Sequence, residues 1–226
     1  MRLSTLILGS FLMLMASCVS TGGDRVDLKA AADANTDLGL AYLAEGRSER
    51  AYEVLKRAVT QNSRQANAYV GLGYIYLQRG NYEASEKAYK RALDIQPNSA
   101  SIRNNYGILL CQTGDAKQAI SLFSKAVATP GYRTPATAAS NAATCAREAG
   151  DLLLARRWAQ KALSLSAGYP PAQLEMAELE LAAGSPTAAA QWLRNYQQSA
   201  TSEALQDAKF LRLSYLIALE QGDKTA

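Results

Sequence analysis

The feature that most constrains this 226-residue chain is a glycine that recurs every 34 residues. Gly39, Gly73 and Gly107 stand at this spacing, and a second glycine follows each of them after seven residues. A small residue on the other side of the unit keeps the same period, at Ala58, Ala92 and Ala126. A fixed period of this length indicates repeated structural units that stack on their neighbours and share one continuous core.

The period and its pattern of small and large residues are typical of the tetratricopeptide repeat (TPR), a pair of antiparallel helices. The two backbones of such a pair approach closely only where side chains are small. The glycines at 46, 80, 114, 150, 184 and 222 are expected to end the first helix of each pair. Residues that favour helix starts follow four of them, at Asn81, Asp115, Asp151 and Ser185. The sequence therefore predicts an all-α fold, a TPR superhelix.

The phase of the repeat predicts a TPR domain at 32–226, with five full units and part of a sixth. The predicted units are 32–65, 66–99, 100–135, 136–169 and 170–203, followed by the partial unit 204–226. The third unit is two residues longer at Thr129–Pro135, which predicts a longer loop there. We expect the first helix of the sixth unit to run from about Ser202 to Gln221. Because that helix is rich in apolar residues, we also expect a closing helix after Lys224.

The N-terminus has the pattern of a bacterial export signal. A positive charge at Arg2 precedes an apolar stretch at Leu3–Met15, which is too short to span a membrane. Met15-Ala16-Ser17-Cys18 resembles a lipobox, and the resemblance implies cleavage before Cys18 and acylation of that cysteine. This predicts a signal peptide at 1–17 and a lipidated cysteine with a flexible tether at 18–31. The alternative is an ordinary cleaved signal followed by an incidental cysteine.

The same resemblance bears on where the anchored protein would lie. Val19 follows the cysteine, where inner-membrane lipoproteins usually carry aspartate. This favours the periplasmic face of the outer membrane. Since each buried methylene contributes ~0.8 kcal/mol, several acyl chains (palmitate or similar) would anchor the chain far more firmly than one.

Two further cysteines, Cys111 and Cys145, fall in corresponding helices of the third and fourth units. Those helices are expected to stack side by side, and an exported compartment is oxidising. A disulfide closing a loop of about 35 residues would stabilise the fold by roughly 3–4 kcal/mol. The alternative is a pair of buried, reduced thiols.

The composition argues against an enzyme. The chain contains no histidine, which excludes histidine bases and HExxH zinc sites. Glu175, Glu178 and Glu180 fall at helical spacing and are interpreted as a solvated helix face. Loss of Arg2 with the leader would leave 23 basic and 20 acidic residues, without a basic stripe interleaved with aromatics, so nucleic acid is not an expected partner. We expect no metal, no cofactor and no small-molecule substrate.

The repeat phase also predicts which residues line a concave groove. They stand just after the first glycine of each unit or one helical turn before it: Leu40, Leu43, Val70, Tyr74, Leu77, Asn104 and Ile108. Leu40, Tyr74 and Ile108 replace the polar clamp with which some TPR proteins bind a C-terminal carboxylate. An apolar trough suits an amphipathic helix or an extended apolar segment of a protein partner. The alternative is that these residues pack on each other or on Val26–Ala32.

Three groups of residues in the middle of the chain are similar to those of one known family. They are Asn104-Asn105-Tyr106-Gly107 with Cys111, Thr129-Pro130-Gly131-Tyr132 with Pro135, and Asn141 with Cys145 and Gly150. With the lipobox and the repeats, they resemble the type IV pilus biogenesis lipoproteins of the PilF/PilW kind.

The resemblance implies a pilotin, an outer-membrane-anchored factor that helps the pilus secretin to localise and assemble through protein–protein binding. It also implies a disulfide between Cys111 and Cys145. The alternative is a general envelope TPR lipoprotein that scaffolds cell-wall enzymes.

Overall fold

The computed structural model describes residues 27–222. Within this range the chain is helical and contains no strand, which confirms the predicted all-α TPR superhelix. The helices are α1 Leu28–Ala44, α2 Ser48–Gln61, α3 Ala66–Gln78, α4 Tyr82–Ile95, α5 Ala100–Gln112, α6 Ala116–Val127, α7 Pro135–Glu148, α8 Leu152–Leu165, α9 Pro170–Ala182, α10 Pro186–Ser199 and α11 Ala208–Glu220. The predicted signal peptide, Cys18 and the region of the expected closing helix lie outside the described residues. None of the described helices is long and apolar enough to cross a membrane.

Consecutive helices pair by short turns, α1 with α2 through to α9 with α10, and α11 packs on α9 and α10. The odd-numbered helices also pack side by side along the array, whereas neighbouring even-numbered helices make no comparable contact. The closely spaced odd-numbered helices therefore form the inner, concave layer. The even-numbered helices form the outer, convex layer.

The recurring glycines lie where the two helices of a pair come closest. A Cβ added at Gly73 would stand 2.9 Å from the ring of Tyr89, and one added at Gly107 would stand 2.7 Å from the ring of Phe123. Both aromatic rings are almost completely buried. The outer helices α4 and α6 thus each pack a large ring against a residue of the inner helix that has no side chain, and α2 packs Leu55 against Gly39 in the same way.

The turns between paired helices form largely as the sequence predicts. Gly80 adopts a φ of +69°, and the equivalent glycines adopt positive φ as well. Asn81, Asp115 and Asp151 each accept a hydrogen bond from a backbone N–H of the following helix. Ser185 precedes α10 as expected, but its side chain makes no such bond.

Two helix starts differ from the predictions, and an aspartate cap explains both. α1 begins at Leu28 because Asp27 Oδ1 accepts from the backbone N–H of Lys29 and Ala30 at 2.9 and 3.1 Å. The end of the predicted tether is therefore helical. The last helix does not begin at Ser202: a 3₁₀ turn at Ala204–Gln206 comes first, and Asp207 then caps α11.

The lengths of the connections also vary along the array. Residues 128–134 join α6 to α7, which confirms the longer loop predicted in the third unit. Pro135 takes the first position of α7, where a missing N–H costs nothing. The connection at 200–207 is longer still, and the sequence phase did not reveal it.

One inner helix lacks the small residue that the others share. Seven residues before the turn glycine, the inner helices α1 to α9 carry Gly39, Gly73, Gly107, Ala143 and Ala177. At this position α11 carries Tyr215, whose side chain is 51% exposed. A helix paired with α11 would therefore meet the Tyr215 side chain at the place where Tyr89 meets Gly73.

Candidate functional site

Six of the seven predicted groove residues surround one hollow in the inner layer. It lies between α1, α3 and α5 and has a volume of about 300 Å³. The six are Leu40, Leu43, Val70, Tyr74, Leu77 and Ile108. The walls of this apolar hollow are aliphatic and aromatic, and the side-chain amides of Gln78, Asn105 and Gln112 stand at its edge.

Gly71 and Tyr89 shape the base of the apolar hollow. A Cβ at Gly71 would stand 2.7 Å from Leu55 Cδ1 and 3.4 Å from methyl carbons of Leu40 and Leu43, so the glycine lets α3 lie close to α1. Burial, followed by the neighbouring Tyr74, raises the pKa of the Tyr89 hydroxyl, which stays neutral at physiological pH. The base of the hollow is thus uncharged.

The apolar hollow is open in this structure. Tyr74 is 46% exposed, and Leu40 and Leu43 are only half buried. None of residues 27–32 lines the hollow, so the described part of the N-terminal segment does not fill it. The exposed apolar surface at Tyr74 is available to another polypeptide.

Asn104 does not lie in the apolar hollow, which corrects the predicted groove. Its side chain is buried, and its Oδ1 accepts a hydrogen bond of 2.9 Å from Asn141 Nδ2 on α7. Asn104 therefore joins two repeats, and its neighbour Asn105 takes the place at the edge of the hollow. The sequence phase missed this because the partner of Asn104 lies in the next unit.

The opposite end of the inner layer carries charges instead of an apolar hollow. Glu175 and Glu178 on α9 have side chains only 1% and 8% exposed, so the predicted solvated face was wrong for both. Arg147 on α7 bridges them: its Nε lies 2.6 Å from Glu175 Oε1 and its Nη2 lies 3.0 Å from Glu178 Oε2. Thr144 Oγ1 donates to Glu175 at 3.0 Å. Glu180 is mostly buried too and pairs with Arg156 of α8.

Arg147, Glu175 and Glu178 form a charged cluster, to which helix α11 supplies two more cations. Lys209 Nζ lies 3.0 Å from Glu178 Oε2, and Arg212 Nη2 lies 2.6 Å from Glu178 Oε1. Burial works against the charge on Arg147, but Glu175 and Glu178 outweigh it and raise the pKa of the guanidinium. The charged cluster therefore ties α7, α9 and α11 together.

A signal for the charged cluster exists in the sequence. Glu178 stands six residues before its turn glycine, which is the position of Tyr74 in α3. Arg147 stands three residues before its turn glycine, which is the position of Leu77. The positions that build the apolar hollow in the first repeats thus hold paired charges in the fourth and fifth.

Within residues 27–222, no group of three or more potential ligand side chains could hold a metal ion.

The two internal cysteines face each other across the inner layer. Cys111 on α5 and Cys145 on α7 have their sulfur atoms in contact, and their Cα atoms lie 5.6 Å apart. This separation is within the range that a disulfide requires. Formation of the bond in the mature protein stays a prediction.

The fold and the repeats match known proteins. The tetratricopeptide repeat model matches residues 30–98 and 64–129. PilW, described as a widely conserved type IV pilus biogenesis factor, is 27% identical over 85% of this chain and 87% of its own, with a TM-score of 0.77. PilF of Pseudomonas aeruginosa is 24% identical over 87% of each chain, with a TM-score of 0.73. A TPR protein of Thermus thermophilus is 20% identical over 84% of this chain and 99% of its own, with a TM-score of 0.66. No curated protein sequence matches the chain significantly.

These findings define the chain first as a TPR superhelix, a class of scaffolds that bind other polypeptides. Within that class, the similarity to PilW, together with the shared fold of PilF, supports a TPR protein of the PilF/PilW type. The family resemblance predicted from the sequence is thereby confirmed.

Replacing Arg147 with methionine should destabilise the protein by about 3–5 kcal/mol, because Glu175 would stay buried with its main partner removed. The free energy of unfolding from chemical denaturation measures the effect. Lys87→Met is the matched control: Lys87 pairs with Glu83 at 2.6 Å on an exposed helix face, where water screens the pair, so its loss should change the free energy of unfolding far less. Equal losses for the two variants would show that burial does not govern the pair.

Replacing Cys111 and Cys145 together with serine should lower the free energy of unfolding by about 3–4 kcal/mol, because the unfolded chain gains the freedom of an open loop. Reductant should lower the stability of the wild type by a similar amount and leave the double variant unchanged. Mass spectrometry of periplasm-derived protein without reductant measures the pairing directly. Two free thiols would contradict it.

Proposed function

We propose that this protein is a pilotin, an outer-membrane-anchored TPR adaptor that promotes the localisation and assembly of the type IV pilus secretin. Its similarity to PilW, a type IV pilus biogenesis factor, supports the cellular context. Its fold supports a role in protein binding rather than catalysis.

The apolar hollow carries the binding part of the proposal. It offers one half-exposed aromatic ring, Tyr74, beside the aliphatic side chains of Leu40, Leu43 and Val70. An apolar helix or extended segment of a secretin subunit would remove these side chains from water. The side-chain amides of Gln78, Asn105 and Gln112 would donate hydrogen bonds to its backbone carbonyls or accept them from its N–H groups. Aromatic side chains at the centre of such a pocket commonly dominate the binding energy.

The charged cluster favours the first three repeats as the binding end. Its buried carboxylates already have partners within the chain, so a ligand would have to break ion pairs in order to use them. The apolar hollow requires no such exchange.

Anchoring would make weak binding effective. Acyl chains on Cys18 would hold the solenoid at the periplasmic face of the outer membrane. Secretin subunits bound in the hollow would then share that plane, and their effective concentration for ring assembly would rise. No nucleotide or metal enters this mechanism.

Tyr74→Asp should weaken secretin binding on the order of thirtyfold or more, because it places a charge in the apolar hollow and removes the aromatic contact. Co-purification of the secretin from cells measures the effect. Tyr82→Asp is the matched control, since Tyr82 is 48% exposed but lies on the outer helix α4.

A photo-reactive amino acid at position 74 in living cells tests the same proposal without perturbing affinity by charge. The crosslinked product should contain the secretin. Capture of a cell-wall enzyme instead would reject the pilotin and favour the envelope scaffold.

For the aspartate variants, equal co-purification of the secretin by Tyr74→Asp and Tyr82→Asp would contradict a role of the apolar hollow in binding.

Cys18→Ser should abolish incorporation of labelled palmitate, because the acyl acceptor is lost. After a high-salt wash of the membranes, the variant should appear in the soluble fraction and the wild type should stay with the outer membrane. Ser20→Ala, which leaves the lipobox intact, is the control. Retention of palmitate by the Cys18 variant would contradict the anchor.

A further inference from the structure

The outer layer has an uneven charge distribution along the array. α6, α8 and α10 together contain six lysine or arginine residues and no aspartate or glutamate. α4, in the same layer, balances three basic residues with three acidic ones. The outer helices are therefore balanced in charge at α4 and basic from α6 to α10, although Arg156 pairs with Glu180 and the aspartates Asp115 and Asp151 cap α6 and α8.

On α8 two basic residues stand between two leucines along a single ridge. Leu153, Arg157, Lys161 and Leu165 follow one another at intervals of four, so they share one face of the helix. All four are exposed, and Leu153 reaches 68%. Neither Arg157 nor Lys161 forms an ion pair within residues 27–222.

The corresponding ridge of α4 shows what a solvated outer helix looks like in this protein. Counted from the helix cap, Glu83, Lys87 and Arg91 hold the positions of Leu153, Arg157 and Lys161. Glu83 pairs with Lys87 at 2.6 Å, so one of the two cations of this ridge has an acidic partner on the same helix, and Arg91 donates to the backbone oxygen of Ser63. On α8 a protruding leucine replaces the acid, and the cations that follow are left without a counter-charge.

An apolar trough runs beside the α8 ridge. It lies between α6 and α8 and has a volume of about 510 Å³. Val127, Leu154 and Trp158 form its apolar wall, and Arg157 and Lys161 stand at its edge. On α6, Lys117 and Lys125 add two further exposed cations to the same face.

We propose that this basic outer face, formed by the α8 ridge and its trough, binds an anionic phospholipid bilayer. Exposed cations attract the negative headgroups, and leucines and a tryptophan beside them insert at the boundary between headgroups and acyl chains. Leu153 protrudes from the convex α8 ridge and could therefore reach a flat membrane surface. An acidic peptide in the trough would leave Leu153 in water. The contact would turn the apolar hollow of the inner layer away from the membrane, and it requires no acyl chain.

Vesicle binding tests this proposal with a chain from Val19 to Ala226. No described helix begins before Leu28, so this chain keeps all of them, and circular dichroism confirms its helicity. We expect binding to vesicles of phosphatidylethanolamine and phosphatidylglycerol in equal parts, weakened by salt, and no binding to phosphatidylcholine vesicles. Arg157→Gln with Lys161→Gln should weaken binding on the order of thirtyfold.

The matched control is Lys87→Gln with Arg91→Gln, which removes two cations at the same helical positions of α4 and should leave vesicle binding unchanged. Equal binding by the α8 double variant and the wild type would overturn the proposal. So would absence of binding to the anionic vesicles, which would favour an acidic polypeptide as the occupant. Displacement by soluble glycerol phosphate would assign the face to free phosphate groups instead.

Insertion of the α8 ridge has its own measurement. In a Trp192→Phe background, Trp158 is the remaining tryptophan of the chain. Brominated lipids should quench its emission in anionic vesicles, and Leu153→Ser should reduce the quenching without changing the fold, because Leu153 is exposed. Absence of quenching in the parent protein would exclude insertion at this ridge.

Discussion

The structure depends on one contact, a large ring of the outer helix seated on a residue without a side chain in the inner helix. Tyr89 on Gly73 and Phe123 on Gly107 set how closely the helices of a pair approach. That distance fixes how the inner helices stack on the next pair, and so it decides which side chains face the concave side. The apolar hollow exists because α1, α3 and α5 stand in this register, with Gly71 bringing α3 against α1.

Contacts within a repeat could be predicted from the sequence, because they recur with the period. The turn glycines, the helix caps at Asn81, Asp115 and Asp151, and the six residues of the apolar hollow all follow from position within the unit. The proximity of Cys111 and Cys145, which stand one period apart, could be predicted as well. The other contacts between repeats could not be predicted. Asn104 finds its partner, Asn141, in the next unit, and Glu175 is buried by Arg147 from the preceding helix pair and Lys209 from the following one. A period describes what each unit shares, whereas these pairs depend on how two units differ.

The same positions of the inner layer serve opposite purposes at its two ends. Where α3 presents Tyr74 to solvent, α9 presents Glu178 to two arginines and a lysine. Charges satisfied within the chain hold the final helix against its neighbours, and uncharged side chains at the other end stay available to a partner. Under the proposed function, the two ends of one surface would therefore serve cohesion and recognition. The outer layer adds the exposed cations Arg157 and Lys161 of α8, which form no ion pair in the part of the chain that the structure describes.

Tyr215 makes the array directional. Units with glycine or alanine at this position can follow one another along the array, since each inner helix offers a small residue against which an outer helix can pack. A tandem duplication of the α9–α11 region would interrupt such a stack, because the tyrosine would hold the incoming hairpin too far away. Added units would therefore fit best in the interior of this solenoid. Copies of the glycine-bearing helix pairs could be inserted at the connection between α4 and α5.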